Sequence, residues 1–292
     1  MFTFPSTDGL TVHVRRWLPA APPRAVVQIA HGMGEHGARY EPLARALVAH
    51  GYAVYADDHR GHGLTMRPGR PGELGEDGWN LLVEDLAALT RIIREQHPAV
   101  PVVLLGHSLG SFAAQQYLLD HADLVDAVAL CGTTAVDRLF AFLAEAGGDV
   151  MGAFNAAFQP ARTEADWLSR DEAQVDAYIA DPLCGFTLDG PSMAGLAAAA
   201  VTRLAEPKGI PAELPLYVVV GDHDPLNQKL TLSDLLVERY RATGLTRLTH
   251  RAYRGARHEL FNETNRDEVV ADLIAWLDTV TGTGTSTGTV SG

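Results

Sequence analysis

The chain has 292 residues, enough for one large domain or two small ones around a substantial core. Hydrophobic residues make up 47% and charged residues 20%, as in a globular protein. The formal net charge of -13 argues against nucleic acid as a partner, since phosphates demand a basic surface, and opposes tight binding to an anionic membrane. Cys131 and Cys184 make no disulfide framework and read as small hydrophobes in a reducing compartment. The stretch Met1–Gly9 lacks the basic and apolar regions of a signal peptide, and no run approaches the ~20 apolar residues of a membrane-spanning helix. These features predict a soluble cytoplasmic protein.

In chain order, Leu10–Leu18 alternates polar and apolar residues as an antiparallel edge strand does. Ala25–Ala30 reads as a buried strand ending at His31-Gly32-Met33-Gly34, and a helix follows from about Tyr40 to His50. Tyr52–Ala56 is the next strand and leads into Asp57-Asp58-His59-Arg60-Gly61-His62-Gly63. Trp79–His97 reads as a long amphipathic helix, Pro101–Leu105 as a strand, Ser108–His121 as a helix and Ala127–Cys131 as a strand. Strands alternating with helices of this length predict an α/β fold with a mostly parallel sheet covered on both faces. From Thr133 to about Pro211 the alternation stops, and only helical patterns broken by glycine and proline remain. It resumes with Leu216–Val220, a helix over about Gln228–Thr243, a strand over Thr246–Tyr253 and a last helix over about Arg266–Val280. The expected division is a core of 1–132 and 212–280, an inserted helical segment of 133–211, and a disordered Gly/Thr/Ser-rich tail of 281–292.

Gly106-His107-Ser108-Leu109-Gly110 matches G-x-S-x-G at a strand-to-helix turn, the setting in which a strained turn lifts a serine oxygen above a sheet edge. A serine hydroxyl needs a base to take its proton and an acid to hold that base. Asp224 and His258 follow the next two strands after the irregular segment, in the chain order such sites use. Asp222 is the rival acid; Asp224 is preferred because it precedes Pro225 and leaves the strand end. His31, His36, His59 and His62 are rival histidines, set aside because only His258 lies downstream of a suitable acid on the last strand's exit loop. Amides of Leu109 and Met33 are the candidate oxyanion donors. Asp58, Arg60 and His62 are expected to brace neighbouring loops, and Glu35, Arg39 and Tyr40 to anchor the loop of Met33. Asp222-His223-Asp224 has the composition of a metal cluster, but there is no H-E-x-x-H or spaced Cys/His set, so neither metal nor cofactor is expected.

Taken together, these stretches resemble the serine hydrolases of the α/β-hydrolase fold, in particular the monoacylglycerol lipase and lysophospholipase-like branch. His31-Gly32-Met33-Gly34-Glu35-His36 with Arg39-Tyr40 looks like its H-G-x-G-E-H-x-x-R-Y element, and Asp58–Gly63 like its D-x-R-G-H-G loop. Ser111 stands where many relatives carry a third glycine. The resemblance implies Ser108 as nucleophile, Asp224 as acid, His258 as base, and a helical cap at Thr133–Pro211. That segment carries Leu139, Phe140, Leu143, Phe154, Phe158 and Met193 among many alanines. Most of these would pack within the cap itself. As a set they suggest a small-molecule ester with an apolar acyl or alkyl group above Ser108, with Phe154 and Phe158 as candidate contacts. Peripheral lipid contact through the cap has no basic amphipathic face to support it. A small-ester or amide hydrolase is the alternative within the same chemistry, and a catalytically silent binding module the alternative outside it.

Overall fold

Parallel strands covered on both faces must be apolar at nearly every position, and five segments here are buried along their whole length: Ala25–Ala30, Tyr52–Asp58, Val102–His107, Ala127–Cys131 and Leu216–Gly221. The structure, a computed structural model, describes residues 1–145 and 150–282, except the side chains of Val150 and Met151. The expected tail lies outside the described residues apart from Thr281 and Gly282, which form a turn. The strands are β1 (Phe2–Pro5), β2 (Thr11–Trp17), β3 (Ala25–Ala30), β4 (Tyr52–Asp58), β5 (Val102–His107), β6 (Ala127–Cys131), β7 (Leu216–Gly221) and β8 (Leu248–Tyr253). They form one sheet in the order β1-β2-β4-β3-β5-β6-β7-β8. β1 and β2 are antiparallel at one edge, and every pair from β4 through β8 is parallel. The fold is α/β, a mostly parallel sheet flanked by helices.

Side-chain alternation along each strand builds two cores. Val26, Val102 and Leu104 face the side covered by α2 (Gly78–Gln96), α3 (Leu109–Asp120) and α8 (Thr231–Ala242). Val27, Ile29, Val103 and Leu105 face α1 (Glu41–Ala49) and α9 (Arg266–Val280). Between β6 and β7 come α4 (Val136–Glu145), α5 (Val150–Asn155), α6 (Glu172–Ala180) and α7 (Gly190–Ala199), with no strand among the described residues. Leu139, Phe154, Trp167, Leu168 and Leu196 of this segment pack continuously with the first core.

Two elements differ from the sequence reading. β1 is a strand only because Phe2 and Phe4 pair with Val14 and Val12; four residues ending in proline carry no periodicity of their own. Helix α8 starts at Thr231 rather than near Gln228, because Gln228, Lys229 and Leu230 take φ values of 45°, 57° and 72°, which no right-handed helix contains.

The sheet reverses direction of growth between β3 and β5, so the crevice beyond their carboxyl ends is the switch point where such folds bind ligands. The loop after β4 buttresses the loop after β3. His59 and His31 stack at 3.9 Å, the His59 backbone N–H donates to His31 Nε2 at 2.9 Å, and Asp58 Oδ1 accepts from the Gly37 amide at 2.9 Å. Arg60 anchors that buttress from a fully buried position. Its guanidinium donates to Asp85 at 2.9 Å, the Leu74 carbonyl at 2.9 Å, Ser6 at 2.9 Å and Asp8 at 3.2 Å. Removing the cation leaves the Asp85 carboxylate buried and unpaired. Arg60→Met should therefore lower unfolding stability by about 3–5 kcal/mol in urea titrations.

Candidate active site

Ser108 sits between strand β5 and helix α3 with φ 51° and ψ −120°, a strained conformation that projects its side chain off the end of the sheet. The turn needs glycine on both sides. A Cβ on Gly106 would lie 2.5 Å from the Gly110 carbonyl oxygen, and one on Gly110 would lie 2.1 Å from the Ala30 carbonyl oxygen. The strain is held by one tertiary and one local hydrogen bond. The Ser108 amide donates to the Cys131 carbonyl at 3.0 Å, and the Ser111 hydroxyl donates to the Ser108 carbonyl at 2.6 Å. Ser111 thus has a specific use in the turn.

Beyond β7, Asp224 caps the short turn Pro225–Asn227 by accepting the Leu226 amide on Oδ1 at 2.9 Å. Its other oxygen accepts from His258 Nδ1 at 2.9 Å, with both side chains buried. Asp222 points elsewhere and accepts the Gly255 amide and the exposed His223 ring, each at 2.6 Å. Asp222, His223 and Asp224 therefore do not converge as metal ligands. His258 lies between two rings, with Trp167 at 5.0 Å and His107 at 4.8 Å. Burial opposes protonation of His258, but Asp224 outweighs it, with Glu259 and Glu35 adding, so its pKa is raised above 6.5. His107 has no such partner, and burial together with the His258 charge pulls it down to about 4.

Ser108, His258, Met33 and Leu109 all border one cavity of about 310 Å³. Its wall is otherwise mainly apolar and includes Phe112, Leu139, Phe140, Leu143, Phe154, Trp167, Leu168, Met193, Leu196 and Leu226. Phe154 is on this wall. Phe158 is not; its ring lies under the Arg257 guanidinium at 4.3 Å.

Arg39 ties the loop of Met33 to the loop of His258. It donates to Glu35 at 2.6 Å and forks onto both oxygens of Glu259 at 2.6 and 2.8 Å. Glu35 also accepts from the Gly32 amide at 2.5 Å and the Tyr40 hydroxyl at 2.8 Å. Burial alone would push Glu259 towards its neutral form, but the guanidinium outweighs it and holds the carboxyl below its ordinary range. The Glu259 amide donates to the Leu168 carbonyl at 2.8 Å, so the same loop is fastened to the inserted segment. Sequence reasoning placed His107 and Glu259 within the nucleophile and base motifs but gave neither a role of its own, and it did not link Trp167 to the site. His107 adjoins the serine and Glu259 adjoins the histidine, which were usable signals; Trp167 offered none.

Residues 21–265 match the Hydrolase_4 family model, described as serine aminopeptidase, S33. A monoacylglycerol lipase of Mycolicibacterium smegmatis is 33% identical over 279 residues, covering 94% of this chain and 95% of that protein. The chain belongs to this α/β-hydrolase family. Among solved structures, a carboxyl esterase of Bacillus coagulans in complex with glycerol is 30% identical with a TM-score of 0.85, covering 96% of this chain and 98% of that one. A lipase in an open form is 27% identical with a TM-score of 0.83, over 96% and 98% of the two chains. The hydrolase is a serine carboxylic-ester hydrolase of the lipase type.

A base works only when neutral, so with His258 as the base its raised pKa would place the rising limb of the pH–kcat/KM curve above 6.5. In Asp224→Asn the lowering effect of burial loses its main opponent. That limb should move to lower pH while the plateau falls by about 10³–10⁴, as measured in pH–rate profiles on a soluble ester.

Proposed function

We propose that the hydrolase cleaves monoacylglycerol-type lipid esters through an acyl-enzyme formed on Ser108. The observation that carries this reading is the apolar cavity with Ser108 and His258 on its wall and Asp224 hydrogen-bonded to His258 behind it. His258 takes the hydroxyl proton as Ser108 attacks the ester carbonyl, and Asp224 holds the ring and offsets the imidazolium charge. The Met33 and Leu109 amides receive the oxyanion. His258 then passes its proton to the departing alcohol, and water attacking by the same route releases the fatty acid. Neither metal nor cofactor enters this scheme.

The segment 133–211 serves as the cap over a core of 1–132 and 212–280, its apolar wall residues binding the acyl chain. Among the described residues no helix is long and apolar enough to cross a membrane. An amide substrate fits less well. A peptidase that reads a free amino terminus needs an unengaged carboxylate, and Glu35 and Glu259 on the cavity wall are both committed to Arg39.

Ser108→Ala should lose about 10⁴-fold or more of ester turnover while keeping its fold by circular dichroism. Across monoacylglycerols of rising chain length, kcat/KM should climb by up to about fourfold per added methylene, from ~0.8 kcal/mol each, until the cavity is filled. Lysophospholipids and an aminoacyl amide complete the panel. A preference for the amide, or a flat response to chain length, would overturn the assignment.

A further inference from the structure

The loop after β3 and the segment after α6 meet outside the catalytic cavity, and three side chains of metal-ligand type converge there. A ligand atom from each of His36, Asp181 and Cys184 lies within 4.8 Å of the others. We propose that these three residues bind a thiophilic divalent cation, zinc above all, which staples the two segments together and slows turnover. The site lies outside the proposed catalytic group.

The donor set fits the metal. Zinc takes imidazole, carboxylate and thiolate together, and a water commonly completes the tetrahedron. Bond lengths of about 2.0–2.3 Å require ligand atoms roughly 3.3–3.7 Å apart, so the present separations close with side-chain movement of about an ångström. The backbone already presents the ligands. Asp181 Oδ1 is occupied by the Leu183 amide at 2.8 Å, which leaves Oδ2 directed at His36 Nε2, 2.9 Å away. The Cys184 amide donates to the Asp181 carbonyl at 3.0 Å, closing a D-P-L-C turn that brings the thiol round to its carboxylate. The Gly185 amide donates to the Gly34 carbonyl at 3.0 Å, which fixes this turn against the loop carrying His36. His36 is buried, and its Nδ1 has no hydrogen-bond partner.

The surroundings favour a cation. Asp181 borders an open groove of about 500 Å³ through which an ion and its water can enter. Arg39 lines the same groove, but its charge is already met by Glu35 and Glu259. Binding releases the thiol proton to solvent, leaves the His36 proton on the unpartnered Nδ1 by exchange through solvent, and replaces the His36–Asp181 hydrogen bond with two metal bonds. The stapled segments carry Met33 on one side and Phe186 and Thr187 on the other, all on the wall of the catalytic cavity. Occupancy therefore restrains the parts of that wall that must part for a long acyl chain.

The test uses the full chain freed of metal by chelation, with Cys184→Ala and Asp181→Asn alongside; neither residue is among those lining the catalytic cavity. Cobalt titration of the wild type should give a thiolate-to-metal charge-transfer band that saturates at one equivalent and is bleached by zinc. The band should be absent in Cys184→Ala, and cobalt affinity should fall at least tenfold in Asp181→Asn. One equivalent of zinc should slow alkylation of Cys184 at least tenfold, a readout to which the fully buried Cys131 adds little. Zinc should also lower wild-type turnover of a long-chain ester several-fold and leave both variants unaffected. Absence of the band in the wild type, or its persistence in Cys184→Ala, overturns the site. Saturable binding with unchanged wild-type turnover overturns the staple.

Discussion

Three backbones meet at the carboxyl ends of β3 and β5 with no room for a single Cβ, and the rest of the site depends on that contact. Gly106 and Gly110 let strand β5, helix α3 and the end of β3 close on one another. The chain can then turn only through the strained conformation of Ser108, of a kind that costs on the order of 1–3 kcal/mol. The stabilisation that offsets it comes from outside the turn. The Cys131 carbonyl on β6 accepts the Ser108 amide, and two buried cores clamp β5 from either side. The same close approach sets the N-terminus of α3 beside the serine, with Leu109 on the wall of the same cavity.

A second layer of constraint is electrostatic. The loops leaving β3, β4, β7 and β8 carry only single short 3-10 turns, so their relative positions rest on buried charge and imidazole pairs. Arg39 spans the loops after β3 and β8 through two carboxylates, while Arg60 and the His31–His59 stack hold the loop after β4 against that after β3. Burial keeps some of these rings neutral. His62 is pushed down to about 3 and His31 well below its ordinary value, whereas the Asp57 carboxylate overcomes burial and raises His59. Neutral imidazoles can donate on one nitrogen and accept on the other, which is the use His31 makes of its ring: Nε2 accepts from the His59 amide, and Nδ1 lies 2.8 Å from the Gly32 carbonyl oxygen. Because each such group must find a partner or forfeit several kcal/mol, the loops have few alternative arrangements.

The inserted segment joins the core rather than standing apart from it. Leu139, Phe154, Trp167 and Leu196 belong to the same apolar cluster as β3, β5 and α3. One surface of that cluster is left open as the cavity. The apolar cavity wall and the hydrophobic core are therefore continuous, and Trp167 serves both by packing on Phe154 at 5.0 Å and on His258 at the same distance.

By itself the sequence determined the α/β alternation, the strand-to-helix turn at Ser108 and the order of serine, acid and histidine. These are local: buried strands need unbroken apolar runs, and a turn without room for Cβ needs glycine. The edge strand β1 escaped detection because its identity lies in its pairing with β2, and the start of α8 because three left-handed residues give no composition signal. Only the tertiary structure decided which of Asp222 and Asp224 faces His258, since two residues so close in sequence differ in the partners that surround them. It also decided that Phe154 borders the cavity while Phe158 lies beneath Arg257, and that Trp167 and His107 pack on the histidine. Those relations join segments tens to hundreds of residues apart, and no periodicity in a single segment encodes them.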